Sequence, residues 1–169
     1  MDRGGGRTTE QVVPAPRWTS LLAALLSVLA LDQATKAIVR SSLALGQQAQ
    51  VAGLFSVEHL RNPGIAGGGL AGRAVPLALL ATLAVSAILA FLARNGVTRP
   101  LILVGFGLLI GGGFGNLVDR LRFGYVTDFI LDGDRAYNVA DIAIFAGTTI
   151  ILAGLVGVLL HVRLRTGTA

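Results

Sequence analysis

Two stretches of this chain, Ala74 to Ala93 and Ile142 to Leu160, carry no charged side chain. Each is about as long as the ~20 residues that a helix needs to cross a ~30 Å hydrocarbon core. A segment of that kind satisfies its backbone internally and leaves its apolar sides to lipid. A third charge-free stretch runs from Pro100 to about Val118 and is dense in glycine; Gly111 and Gly115 have the small-xxx-small spacing that lets helices approach closely. A fourth begins near Trp18, continues through Leu21 to Leu31, and turns polar in Asp32-Gln33-Ala34-Thr35-Lys36. Composition agrees, since 53% of the 169 residues are hydrophobic and 14% charged, about half the charge of a soluble domain. The length leaves room for one domain and excludes a large soluble catalytic unit.

The expected fold class is an all-α integral membrane protein, with four transmembrane helices, a small extracytoplasmic β-sheet and a loop flap. Residues 1–17, rich in Gly, Arg and Pro, read as a disordered cytoplasmic tail. A single domain covers 18–165, with spans at about 18–40, 74–94, 100–118 and 141–161, outer loops at about 41–73 and 119–140, and a C-terminal tail at 166–169. The basic start, short apolar run and Val28-Leu29-Ala30 also fit a cleavable signal peptide, but cleavage would remove the first helix, in which Asp32 and Lys36 stand at the facing i,i+4 spacing. The tail, the 94–99 turn and the C-terminus hold seven of the fourteen basic residues in roughly thirty positions. The positive-inside rule therefore puts both termini in the cytoplasm and the two long connections outside. Between Gln47 and Arg61, Val51, Phe55 and Val57 alternate with polar residues as in a half-buried strand or hairpin.

The sequence has no cysteine and only two histidines, His59 and His161, which removes thiol chemistry and argues against a zinc centre. Isolated basic residues without interleaved aromatics give no sign of nucleic-acid binding. The only lysine, Lys36, does not face Ser41 or Ser42 on a continuous helix, and neither a phosphate loop nor a nucleophile elbow occurs. Six of the nine acidic residues follow Asp32: Glu58, Asp119, Asp128, Asp132, Asp134 and Asp141. Asp119 beside Arg120 reads as a salt-bridged helix end, and Asp132 and Asp134 flank Gly133 in a solvated turn. Asp128 and Asp141 differ, lying among apolar and β-branched residues near predicted helix ends. Brought together, two such carboxylates share a proton and can act on water as base and acid. A structural role, or a proton relay involving Asp32, is also compatible with these acids.

Four blocks resemble the lipoprotein signal peptidases, also called signal peptidase II. They are Leu31-Asp32-Gln33-Ala34-Thr35-Lys36; Arg61-Asn62-Pro63-Gly64-Ile65-Ala66; Gly112-Gly113-Phe114-Gly115-Asn116-Leu117-Val118-Asp119-Arg120 with Gly124-Tyr125-Val126-Thr127-Asp128-Phe129; and Tyr137-Asn138-Val139-Ala140-Asp141-Ile142. The resemblance implies four transmembrane helices with an external β-cradle in the bacterial plasma membrane. It implies an aspartic endopeptidase that cuts prolipoproteins before a diacylglyceryl-modified cysteine, working as a monomer among membrane lipids without cofactor or metal. Asp128 and Asp141 match the catalytic pair; Asp32, Asn62, Gly64, Asn116, Asp119, Arg120, Asn138 and Ala140 match the accompanying positions. The expected roles are Asn116 and Asn138 bonding the aspartates or substrate, Arg120 pairing with Asp119, Asn62 gripping the peptide, and Asp32 with Lys36 stabilising the first helix. The chain departs from the pattern in Gly67-Gly68-Gly69, where the family has an aromatic, and in a short link from Phe129 to Tyr137.

Overall fold

The computed structural model describes residues 18–51, 55–64 and 99–166, with Pro76, Leu79, Leu80, Leu83 and Ala87 between them. The elements in chain order are α1 (Trp18–Ser42), β1 (Gln48–Val51), β2 (Phe55–Asn62), α2 (Pro100–Phe123), β3 (Val126–Asp132), β4 (Arg135–Tyr137) and α3 (Val139–Thr166). Among the described residues, three helical stretches are long and apolar enough to cross a membrane: α1, α2 and Val139–Gly157 of α3. Of the span expected at 74–94, the five described positions are all helical. Its remainder, the 1–17 tail, the Gly67–Gly69 flap and residues 167–169 lie outside the described residues.

The central helix is α2, packed on both α1 and α3, which touch each other much less. Glycine makes this possible. A Cβ at Gly107 would collide with the Leu21 carbonyl, and one at Gly111 would lie 2.7 Å from the Leu25 carbonyl, both on α1; one at Gly112 would collide with the Ala140 carbonyl on α3. The backbones are thus in direct contact, the packing that small residues allow where lipid tails provide no hydrophobic drive between helices. Leu21, Ile102, Leu103 and Phe106 form one apolar cluster between α1 and α2. Leu26, Phe145 and Leu152 stay exposed, an apolar exterior suited to lipid.

Both termini of α2 follow local rules. Pro100 opens the helix, where its missing N–H removes no helical bond. Gly124 ends it in the left-handed conformation at φ 78°, donating its N–H to the Arg120 carbonyl at 3.0 Å. The helix therefore runs five residues past the expected end near Val118. The first charge closes the apolar run, but Asp119 finds buried partners, and the helix stops only at glycine.

The strands form one antiparallel sheet in the order β1-β2-β3-β4. The β1–β2 hairpin is the one expected from the alternation between Gln47 and Arg61. The second hairpin occupies the region read as an outer loop at 119–140. Val126 to Phe129 are buried in succession, so β3 lacks the period-two signal of a half-buried strand. A bulge between Val57 and Leu60 shifts the β2–β3 register, after which Leu60 faces Asp128 and Asn62 faces Val126. Asp132 pairs with Arg135 across an exposed turn at Gly133, φ 58°, as the turn reading expected. Val39 of α1 packs on Val57 and Phe129, seating the sheet against the helices.

Candidate active site

The residues singled out in sequence converge where the sheet meets the helix ends. Asp141 is set by its own helix start. Asn138 caps α3, its Oδ1 accepting the Asp141 N–H at 3.0 Å, while Asp141 Oδ2 accepts the Asn138 N–H at 3.2 Å. This reciprocal pair is a capping box built from Asn-x-x-Asp, and it leaves Asp141 Oδ1 to accept Asn116 Nδ2 at 2.9 Å. The next free N–H of the helix, that of Ala140, donates to Asp32 Oδ1 at 2.9 Å. Ala140 is fully buried against the α2 glycines, its Cβ 3.5 Å from the Cβ position of Gly115.

Asp128 comes from β3 and is 2% exposed. Its Oδ1 accepts Asn138 Nδ2 at 2.6 Å and its Oδ2 accepts Asn62 Nδ2 at 2.9 Å. The fully buried Asn138 thus bonds both carboxylates, and its Nδ2 also donates to Asn116 Oδ1 at 3.1 Å. Burial, aided by the nearby charge of Asp141 and opposed by the Asn62, Asn138 and Lys36 contributions, pushes the Asp128 carboxyl up to about 6. Asp128 therefore holds its proton well above the ordinary carboxylate range, the behaviour expected of one member of a coupled pair.

A second group of charges lies beneath the pair. Asp32, Lys36 and Asp119 are all fully buried. Lys36 Nζ is 2.9 Å from Asp32 Oδ2 and 3.4 Å from Asp119 Oδ2, and donates to Asn116 Oδ1 at 2.9 Å. Asp119 also accepts the Thr127 N–H at 3.0 Å and lies 3.6 Å from Arg40, which donates to the Thr127 hydroxyl at 2.9 Å. Gln33 Nε2 bridges Asp32, Asp119 and the Gly115 carbonyl. Gly115 is required here, because a Cβ would collide with the Asp32 carboxylate.

One expected contact turns out differently. Arg120 makes no ion pair with Asp119 among the described residues; Lys36 and Arg40 take that carboxylate. Its guanidinium instead donates to the Asn116 carbonyl at 3.2 Å and the Gly64 carbonyl at 3.0 Å. The Gly64 N–H in turn donates to Asn62 Oδ1 at 3.0 Å, so the Asn62 amide is held towards Asp128. Asp32 and Lys36 are more than a stabiliser of the first helix, reaching α2 and the start of α3. The sequence reading left Gln33, Arg40 and Thr127 without roles. A lone lysine and two polar neighbours inside an apolar helix were the available signal for the first helix; nothing local marked Thr127. Among the described residues, no group of three His, Cys, Asp or Glu converges as metal ligands would.

A sequence model described as Signal peptidase (SPase) II matches residues 24–157. The chain belongs to the signal peptidase II family. It is 40% identical over 133 residues to the lipoprotein signal peptidase of Moorella thermoacetica, covering 78% of this chain and 88% of that one. It is 36% identical over 143 residues to that of Symbiobacterium thermophilum, covering 81% and 93%. Two solved bacterial membrane enzymes, determined by the in meso method at 2.3 and 1.9 Å, share its fold at TM-scores of 0.75 and 0.73, each 25% identical over 85% of this chain. Family membership and the apolar helices together make this a multi-pass membrane peptidase of the signal peptidase II type.

Proposed function

We propose that this signal peptidase II relative is an aspartic endopeptidase that removes the signal peptide from bacterial prolipoproteins, hydrolysing the bond before the diacylglyceryl-modified cysteine. The observation that carries the reading is the joining of Asp128 and Asp141 through Asn138, with Asp128 pushed up to about 6. Two carboxylates sharing a proton can run amide hydrolysis without another reagent. Water adds to the scissile carbonyl carbon as one carboxylate takes its proton and the other gives its own to the carbonyl oxygen. Collapse of the resulting diol breaks the C–N bond, returns a proton to the second carboxylate, and passes the first one's proton to the leaving cysteine amine. One water is consumed and the pair is restored.

The substrate's acyl chains stay in lipid at ~0.8 kcal/mol per buried methylene, and its signal helix stays in the bilayer. The scissile bond then arrives where the sheet meets the helix ends. In this reading the pair lies on the extracytoplasmic side, with both termini in the cytoplasm, and the enzyme works as a monomer. Purified protein is expected to cleave a diacylglyceryl-modified prolipoprotein but not its unlipidated form, and Asp128→Asn or Asp141→Asn is expected to abolish cleavage in a folded protein. Full activity in either variant would overturn the assignment.

A further inference from the structure

The two carboxylates are served by matching amides that are held in different ways. Asn62 donates to Asp128, and its oxygen is fixed by the neutral Gly64 N–H. Asn116 donates to Asp141, and its oxygen is fixed by the Lys36 ammonium at 2.9 Å. A cation on the carbonyl polarises an amide and strengthens its N–H donors. Asp141 also sits in the first turn of α3 and accepts a backbone N–H there, where a helix favours negative charge. Asp128 accepts from side-chain amides and is the less solvent-exposed of the two.

We infer that Lys36 is a positioning residue of the signal peptidase: acting through Asn116, it holds Asp141 as the ionised base and leaves Asp128 to carry the proton. The inference rests on the proteolytic reading above. A purely structural lysine would need only its contacts with Asp32 and Asp119. The bond to Asn116 is additional, and Asn138 already supplies that oxygen with a neutral donor. The charged groups around Lys36 are Asp32 on α1, Asp119 on α2, Asp128 on β3 and Asp141 on α3, with Arg40 against Asp119 and Arg120 near both members of the pair.

The test keeps the buried charge balanced. Lys36→Met is made in an Asp32→Asn background, where Asn can still accept the Ala140 N–H, and is compared with Asp32→Asn alone on a lipidated prolipoprotein. The expected result is a fall in kcat on the order of 100-fold at little changed KM, with both limbs of the pH profile moved up by about one unit, because losing a cation disfavours carboxylate ionisation. A folded double variant with the kcat and pH profile of Asp32→Asn would overturn the inference and leave the proteolytic reading intact. Failure of the unaltered enzyme to cleave would instead overturn the proteolytic reading.

If the double variant does not fold, the absence of cysteine allows a second route. Lys36→Cys, alkylated in denaturing detergent and refolded, regains either an ammonium by aminoethylation or a hydroxyl by hydroxyethylation. Recovery of activity with the ammonium alone supports the role, and equal recovery with both overturns it.

Discussion

Asn62 is the only described side chain besides Asn138 that donates to Asp128, and both bonds favour the ionised carboxylate. If the form with one proton is the active one, kcat/KM falls as pH rises through the Asp128 ionisation at about 6. Asn62→Ala removes one donor to the anion, so the proton is held to higher pH. The alkaline limb is expected to move up by roughly one unit, measured on a lipidated prolipoprotein; a limb that stays in place or moves down contradicts the assignment. The sign for folding follows from the same shift. A carboxyl whose folded value is raised contributes stability below its unfolded value of 3.8, which is lost as pH rises through about 6. Asp128→Asn is therefore expected to lose that part of the pH dependence of unfolding.

The glycines of α2 show how closely a helix can be read from spacing. Gly111 and Gly115 were legible as a contact face, and they meet α1 as the spacing implied. Gly111→Ala, with 2.7 Å to the Leu25 carbonyl, is expected to destabilise the protein by about 1–3 kcal/mol in denaturant unfolding from detergent. Gly113→Ala, with nothing within 4 Å, is expected to stay within about 0.5 kcal/mol of the unaltered protein. Other elements were less legible. The strand β3 hid because both of its faces are covered, leaving no alternation to detect. The start of α3 was readable in principle, since Asn-x-x-Asp ahead of an apolar run is a capping signal; it fixes the Asp141 backbone and one carboxylate oxygen. Arg120 was misplaced because adjacency to Asp119 in sequence says nothing about direction on a helix, where successive residues point about 100° apart.

Across the molecule, Asp32 and Asp119 are matched by Lys36 and Arg40 in a cluster without net charge. Its three central groups are fully buried, so added salt should screen it little. The thermal midpoint in a nonionic detergent is expected to hold as sodium chloride is raised, whereas Lys36→Met alone should lose about 3–5 kcal/mol of stability by stranding buried carboxylates. Charge placement in the sequence found the Asp32–Lys36 pair, but the joining of that pair to Asp119, more than eighty positions away, depends on helix packing that no local pattern encodes. The same distance governs how the protein can be made. Asp32 lies in the first described helix, yet one of its oxygens is satisfied by the N–H of Ala140, 108 residues later. During synthesis that oxygen gains this partner only once α3 has emerged, and the same docking event brings Asp141 into place. The site therefore assembles only when α3 docks, and no nascent chain that ends before that helix carries the carboxylate pair.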